Sequence, residues 1–192
     1  MKKYLLLTLL AGLYVGISSF VTPSPVYADY AKGCRKVCSP YRARTRCDGS
    51  TRSSKYPIHG GIDMAIPEGT PILATAAGIV INSKRGKSIG GIILTLKHPP
   101  KATGLKYYVF SQYKHLREKS PLSKGTKVRK GQKVAVSGKT GTVGGKHYKS
   151  AGFPHLHFET RKSSSGRLKD STHMDPLSFL SAAGTRATWP CQ

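Results

Sequence analysis

The residues best suited to chemistry include two histidines in the segment 154–159, which reads Pro-His-Leu-His-Phe-Glu. Alternate residues of a β-strand point to the same side of a sheet. A strand here would therefore present His155 and His157 together and turn Leu156 and Phe158 toward a core. Two imidazoles side by side on one face are costly to bury without a purpose, so the segment suggests a metal site.

A second pair of polar side chains precedes this segment by about a hundred residues, in the sequence His59-Gly-Gly-Ile-Asp63. The two glycines disfavour a helix. In an extended chain, positions four apart share a face, so the imidazole and the carboxylate point the same way. We expect Gly61 to leave the space between them open. Such a pair taken alone also occurs on ordinary protein surfaces.

Together the two segments supply three protein ligands: one histidine and one aspartate from the first, and one histidine from the second. Catalytic zinc sites use three protein ligands and leave a fourth position for water. Nitrogen and oxygen donors of this kind suit zinc better than calcium or magnesium. The sequence therefore predicts one zinc ion per chain.

Zinc-assisted hydrolysis also needs a group that takes a proton from the attacking water and a donor for the developing oxyanion. The chain has eight acidic residues, all scattered, and no His-Glu-x-x-His motif. A histidine must take this part instead. With His59 and His157 as ligands, His115 and His155 remain. Either of the two could polarise the water, and either could hold the oxyanion.

The elements that position these residues are predicted to be short strands. From Tyr56 onward, apolar stretches rich in β-branched and aromatic residues alternate with glycine and proline turns. No segment carries a sustained helical stripe, and only residues 175–183 are expected to form one or two helical turns. This pattern predicts an all-β sandwich or barrel. The predicted strands cover residues 72–80, 91–96, 107–110, 133–136 and 155–159.

The first residues predict export. Lys2 and Lys3 precede an apolar run over residues 5–17, and Val-Tyr-Ala at 26–28 offers a signal peptidase site. The run is shorter than the ~20 residues of a spanning helix. We expect a periplasmic or secreted protein. The predicted organisation is a signal peptide over 1–28, a basic cysteine-rich extension over 29–55, a zinc-dependent hydrolase domain over 56–183 and a tail over 184–192.

The composition is strongly basic, with 32 Lys and Arg against 8 Asp and Glu and a formal charge of +24. Such a charge bears on partners and solubility rather than on fold. For an exported protein we expect anionic envelope polymers as partners of the basic surface, no specific nucleic-acid binding, and a monomer.

Four cysteines are present: Cys34, Cys38, Cys47 and Cys191. An even number in an exported chain predicts two disulfides, and the spacing lacks the close pair typical of a metal site. Three of the four lie in the N-terminal extension, so any complete pairing joins the two ends of the chain. We expect the disulfides to be structural.

Five short motifs resemble those of the lysostaphin-like (LytM-type) zinc endopeptidases. They occur in the family's order over roughly residues 56–180, about two thirds of the chain. They are His59-x-Gly61-x-Asp63 followed by 67–71 and Gly78, Tyr113-x-His115-Leu116, the segment 134–141, Pro154-His155-x-His157-Phe158-Glu159, and Asp175-Pro176-Leu177.

This resemblance implies zinc ligands His59, Asp63 and His157, with His115 and His155 as the catalytic pair. It implies a largely antiparallel β fold with a substrate groove across one sheet. It also implies hydrolysis of peptide bonds in bacterial peptidoglycan cross-links or stems. The stretches 97–106 and 144–153 are longer than the family pattern predicts, which leaves the cleaved bond open.

Two other functions compete with this one. The first is a non-catalytic peptidoglycan-binding or activator module with the same fold, which the five filled positions argue against. The second is a basic exported protein that binds an anionic polymer, with its histidines incidental. Steep salt dependence and indifference to chelators would favour the second alternative.

Overall fold

The computed structural model describes residues 37–47, 49–85, 90–141 and 154–184. The predicted signal peptide, Cys34, His147 and Cys191 lie outside these ranges. Within them, each helix is too short or too polar to cross a membrane.

Short strands dominate the described chain, and the helical segments are brief. The helical segments are α1 (Pro100–Thr103), α2 (Pro176–Ala182) and a 3₁₀ turn (Leu168–Asp170). The strands are β1 (Val37–Ser39), β2 (Ile62–Ala65), β3 (Pro71–Leu73), β4 (Gly78–Arg85), β5 (Ile92–His98), β6 (Tyr108–Leu116), β7 (Lys127–Val128), β8 (Lys133–Val136), β9 (His155–Ser163) and β10 (Thr172–Met174).

A large antiparallel sheet has the strand order β1-β2-β9-β6-β5-β4-β7, and β10 also pairs with β9. A second sheet consists of β3 and β8. The first half of β9 pairs with β2 and its second half with β10, while β6 lies along its other edge. The predicted all-β, mainly antiparallel fold is confirmed.

The core is built from inward side chains of the large sheet, together with side chains of β3 and α2. Leu156 and Phe158 of β9 are 1% and 0% exposed, as the alternation of residues 154–159 predicts. Tyr113 stacks against Phe158 and hydrogen-bonds Thr75 through its hydroxyl group. The other large side chains that are fully buried are Phe110, Phe179, Ile62, Ile72, Ile92, Leu94, Leu96, Leu116 and Leu180.

The helical turns predicted near the C-terminal end are α2. The side chain of Asp175 accepts a hydrogen bond from the Leu177 amide at 2.9 Å, and Pro176 occupies the first turn. An aspartate N-cap followed by proline is a favoured helix start. Phe179 and Leu180 then bury this helix against the core.

Two sequence-based expectations need correction. The apolar run 72–80 is two strands rather than one, because β3 pairs with β8 while β4 pairs with β5 and β7. The extension 29–55, expected to be irregular, contributes β1, which pairs with β2. Its cysteines Cys38 and Cys47 form one of the predicted disulfides.

Candidate metal centre

Asp63 and His157 lie opposite each other on neighbouring strands. Asp63 of β2 is the Cα partner of His157 of β9 in the antiparallel register. The distance from Asp63 Oδ1 to His157 Nδ1 is 2.8 Å. The pairing of two strands thus sets two of the three predicted ligands side by side, although 94 positions separate them in sequence.

His59 joins them from outside the strand, which corrects the expectation that His59 and Asp63 lie together on one extended stretch of chain. β2 begins at Ile62, and His59 lies in the preceding bend. Its amide donates to the Ala43 carbonyl at 3.0 Å, and its carbonyl accepts from the Arg42 amide at 2.9 Å. Its Nε2 is 3.1 Å from Asp63 Oδ1 and 3.0 Å from His157 Nδ1.

Gly61 is needed for close packing rather than for open space. A Cβ at this position would lie 2.4 Å from the Phe158 carbonyl oxygen and 3.0 Å from His157 Nε2. The expectation of an open gap is therefore wrong, because the backbone of β9 fills the space beside this glycine. Only a residue without a side chain lets the bend approach β9 so closely.

The three donor atoms fit a tetrahedral metal ion. They lie 2.8–3.1 Å apart, close to the ~3.3 Å between neighbouring donors at zinc bond lengths of ~2.0–2.1 Å. His59 Nδ1 faces the Pro40 carbonyl at 2.9 Å, and a carbonyl only accepts. The proton of neutral His59 is therefore on Nδ1, so the lone pair of Nε2 faces the carboxylate.

Charge states at the site agree with this arrangement. Burial lowers the pKa of His59, which keeps its imidazole neutral. Burial alone would raise the pKa of Asp63, but hydrogen bonding to the imidazole of His157 holds it well below its usual value. An ionised carboxylate oxygen and a neutral imidazole lone pair repel each other at 3.1 Å unless a cation lies between them. The donor set therefore fits a zinc ion.

His115 and His155 stand together beside the three donors. Their ring centroids are 4.6 Å apart, and the ring of His115 is 6.1 Å from that of His157. Nε2 of His155 lies 3.8 Å from Asp63 Oδ1. Both side chains are buried to 5–6% exposure. The structure thus brings all five predicted site residues to one place.

His115 has an unusual backbone conformation and a fixed tautomer. Its φ is 61°, in the left-handed region that non-glycine residues rarely occupy. Its Nδ1 donates to the Thr140 carbonyl at 2.9 Å. Burial and the neighbouring His155 lower its pKa to about 3. At neutral pH the ring is therefore neutral, with a lone pair on Nε2.

Glu159 contacts the far side of the ligand His157 and was not singled out from the sequence. Its Oε2 is 3.7 Å from His157 Nε2. Lys114, Arg161 and His173 also pair with its carboxylate. Burial would raise the pKa of Glu159, but His157, His173 and Lys114 hold it below its usual range. The sequence signal was the alternation of residues 155, 157 and 159, which places all three on one face.

Ser39 and Arg52 are further residues that sequence reasoning missed. Ser39 is 1% exposed, and its hydroxyl lies 3.2 Å from His59 Nδ1. Arg52 donates to Asp63 Oδ2 at 3.4 Å and to Ser39 Oγ at 2.8 Å. Both belong to the N-terminal extension, whose contacts depend on chain pairing over long distances. No local periodicity could have indicated them.

Two remaining histidines have roles away from the donors. His98 is 0% exposed and hydrogen-bonds the Ala77 carbonyl and Ser111. His173 is exposed, and its Nε2 lies 2.7 Å from Glu159 Oε1.

Known proteins share this sequence pattern and fold. The chain is 35% identical to the peptidoglycan DD-endopeptidase ShyA of Vibrio cholerae over 101 residues, which are 53% of this chain and 20% of ShyA. It is 31% identical to lysostaphin of Staphylococcus staphylolyticus over 127 residues, or 66% of this chain and 23% of lysostaphin. The chain therefore spans about a fifth of the length of these relatives.

The fold also matches the crystal structure of a zinc-containing peptidase from Vibrio cholerae. The TM-score is 0.51 at 27% sequence identity, over 74% of this chain and 36% of that one. The sequence pattern of Peptidase family M23 matches residues 57–176, more than half of the chain and the part that carries all five histidine and aspartate positions. This chain therefore belongs to Peptidase family M23.

Proposed function

We propose that this protein is a zinc-dependent endopeptidase that hydrolyses peptide bonds in the cross-links or stems of bacterial peptidoglycan. The observation that carries the proposal is the convergence of His59, Asp63 and His157, whose donor atoms lie 2.8–3.1 Å apart. These three residues would hold the metal. A bound zinc ion lowers the pKa of a water molecule and polarises the carbonyl of a scissile bond.

His115 is the side chain best prepared to accept a proton. Its Nδ1–H is committed to the Thr140 carbonyl, so Nε2 is left as an acceptor. A base works well when it is held in one tautomer and one orientation. The left-handed backbone of His115 supports this role, because strained residues persist where their surroundings fix them and are concentrated at active sites.

His155 is placed to act with His115 on the same substrate. Its ring lies 4.6 Å from that of His115, and its Nε2 lies 3.8 Å from the ligand oxygen of Asp63. A histidine at this distance can donate a hydrogen bond to the oxyanion that forms when the peptide carbonyl is attacked. The two histidines thus provide the acceptor and the donor that hydrolysis needs.

The substrate class rests on the family and on the names of its members. ShyA is a peptidoglycan DD-endopeptidase, and other relatives carry the name DD-carboxypeptidase/endopeptidase. The predicted signal peptide and the disulfide Cys38–Cys47 favour export to the periplasm or the medium, where peptidoglycan is accessible.

The test is a direct measurement on the protein purified after export. Metal analysis should find about one zinc per chain, and purified peptidoglycan should release new amino groups over time. His157→Ala should abolish both signals. The exposed residue Asp170 provides a control, since Asp170→Asn changes a carboxylate that is not one of the three metal donors and should retain zinc.

Two results would contradict the proposal. Cleavage that survives both His157→Ala and a strong chelator would show that the metal site is assigned wrongly. One bound zinc without any release of amino groups, from peptidoglycans of both glycine-bridged and directly cross-linked types, would favour the binding or activator module instead. Mass spectrometry of the released fragments would identify the cleaved bond.

A further inference from the structure

The N-terminal segment closed by the disulfide Cys38–Cys47 lies directly against the three metal donors. We call residues 38–47 and 49–52 the cystine loop. This loop lies outside residues 57–176, the part matched by the family pattern. Its contacts with the donors are therefore not part of the matched family pattern. We infer that the cystine loop is a built part of the metal centre, in which Arg52 and Ser39 are positioning residues for Asp63 and His59. This inference rests on the proposed zinc site.

The backbone of the loop fixes where His59 stands. Arg42 and the adjacent Ala43 exchange two hydrogen bonds with the amide and carbonyl groups of His59, at 2.9 and 3.0 Å. Arg42 has φ of 65°, a left-handed conformation that turns the chain at this contact. His59 lies in a bend rather than on a strand, so these two bonds take the place of a sheet ladder.

The loop also fixes the orientation of the His59 ring. Its Nδ1 lies 2.9 Å from the Pro40 carbonyl and 3.2 Å from Ser39 Oγ. The Ser39 hydroxyl donates to the Thr45 carbonyl at 2.9 Å, so toward His59 it acts as an acceptor. Both contacts hold the proton on Nδ1 and aim the lone pair of Nε2 at the metal position. Outer partners of this kind set the tautomer of a ligand histidine.

Arg52 acts on the second ligand. Asp63 uses Oδ1 toward both imidazoles and turns Oδ2 to Arg52, which lies 3.4 Å away. The guanidinium group also donates to Ser39 Oγ at 2.8 Å. One side chain thus links the carboxylate ligand to the group that orients the histidine ligand. Because Oδ2 is occupied, Asp63 is held as a ligand through one oxygen.

The disulfide holds both ends of this network together. Cys38 and the adjacent Ser39 lie in β1, and Ser39 is the Cα partner of Asp63. Cys47 lies two residues after Thr45, whose carbonyl accepts the hydrogen bond from Ser39. Thr45 in turn forms a bridge with Thr51, the residue before Arg52. Without the cross-link, the ring of residues 38–47 gains conformational freedom, and the positions of Ser39 and Arg52 become less defined.

The test measures zinc affinity directly, by competition with a chromophoric chelator, on the protein purified after export. We expect Arg52→Gln to weaken zinc binding by roughly ten- to a hundredfold, the usual effect of losing an outer partner of a metal ligand. Arg44→Gln is the matched control. Arg44 is exposed in the same loop, and its substitution removes the same charge. Arg44→Gln should leave the affinity unchanged, whereas Arg52→Lys should restore part of it.

A second measurement tests the disulfide. The double substitution Cys38→Ser with Cys47→Ser should weaken zinc binding by several-fold, and Arg52→Gln should have a smaller effect in this background than in the wild-type protein. Such a difference is the coupling that a double-mutant cycle detects between residues of one network. Circular dichroism and unfolding in the presence of chelator should show that each variant still folds.

The possible outcomes separate the inference from the proposed function. If the wild-type protein binds no zinc, the proposed function and this inference are both overturned. If wild-type protein binds zinc and Arg52→Gln binds it equally well, the inference alone is overturned. Equal losses for Arg44→Gln and Arg52→Gln would also overturn it, since the effect would then come from overall charge. If the losses of zinc affinity caused by Arg52→Gln and by the double cysteine substitution are strictly additive, the disulfide does not act through Arg52, and that part of the inference is overturned.

Discussion

Asp63 and His157 are direct Cα partners on neighbouring antiparallel strands, and their side chains meet at 2.8 Å between Oδ1 and Nδ1. The register of β2 and β9 therefore decides whether the metal centre exists. A slip of one residue would turn one of the two side chains to the opposite face of the sheet. Burial of Leu156 and Phe158, at 1% and 0% exposure, fixes that register against slippage.

The first prediction concerns the charge of Asp63. Asp63→Asn keeps the size of the side chain but removes the negative charge that lies between two imidazoles. We expect zinc affinity to fall by at least roughly a hundredfold, more than for an outer partner. Competition with a chelator provides the measurement. Asp170→Asn is the control, because Asp170 is exposed and pairs only with Ser165 and Arg167 among the described contacts. Equal affinity of Asp63→Asn and wild type would contradict Asp63 as a ligand.

The second prediction separates metal binding from catalysis at His115. His115→Ala should keep about one zinc per chain while the release of amino groups from peptidoglycan falls by roughly 10²–10⁴-fold, the usual contribution of a positioned acid or base. The reason is that Nδ1 of His115 is bonded to Thr140 and none of its atoms belongs to the donor set. Loss of zinc from this variant would show that His115 supports the metal instead.

Local sequence patterns predicted much of this site. The two-residue period of a strand placed His155 and His157 on one face and Leu156 and Phe158 in the core, because that period depends only on the strand itself. Turn residues marked the ends of most strands. The short helix after Asp175 was predicted as one or two turns, and the N-cap aspartate and proline that begin it also act locally.

Other features depend on contacts between segments that are distant in sequence. The spacing of apolar residues along one strand does not indicate such contacts. The place of His59 is set by hydrogen bonds to residues 42 and 43 rather than by a strand. The roles of Ser39 and Arg52 arise because β1 pairs with β2 and a disulfide closes the loop. The split of the run 72–80 likewise reflects two different partners, β8 for its first part and β5 for its second.

The third prediction is a pH dependence of stability that arises from His98. Burial lowers the pKa of His98 from 6.5 to about 4, and its ring is fixed by the Ala77 carbonyl and Ser111. Between these two values the unfolded chain binds a proton that the folded chain does not. Stability from this residue is therefore fully present above pH 6.5 and is lost progressively as the pH falls to about 4.

The size of this effect can be measured by urea unfolding in the presence of chelator. A change of one pKa unit corresponds to 1.36 kcal/mol, so lowering the pH from about 7 to about 5 should cost roughly 2 kcal/mol through His98. His98→Asn, which can still donate to the Ala77 carbonyl, should be less stable at neutral pH but should lack this part of the pH dependence. Identical pH profiles for the variant and the wild type would refute the prediction.

The fourth prediction concerns Gly61, where a single methyl group should damage both fold and site. In Gly61→Ala the new Cβ would lie 2.4 Å from the Phe158 carbonyl oxygen, and backbone cannot yield as a flexible side chain does. Overpacking of this kind typically costs ~1–3 kcal/mol. The same carbon would lie 3.0 Å from His157 Nε2 and would displace a ligand. We therefore expect a lower free energy of unfolding together with weaker zinc binding.

Gly125→Ala provides the comparison for this last substitution. Gly125 has φ of +91°, and a Cβ there would meet no atom within 4 Å. Alanine at this position should cost about 1 kcal/mol through backbone strain alone. Zinc affinity should stay at the wild-type value, because Gly125 lies in a turn beside β4 and far along the sheet from β2. If both alanine variants weakened zinc binding equally, the loss would result from general destabilisation of the fold. The prediction that the close approach of β9 to Gly61 positions His157 would then be wrong.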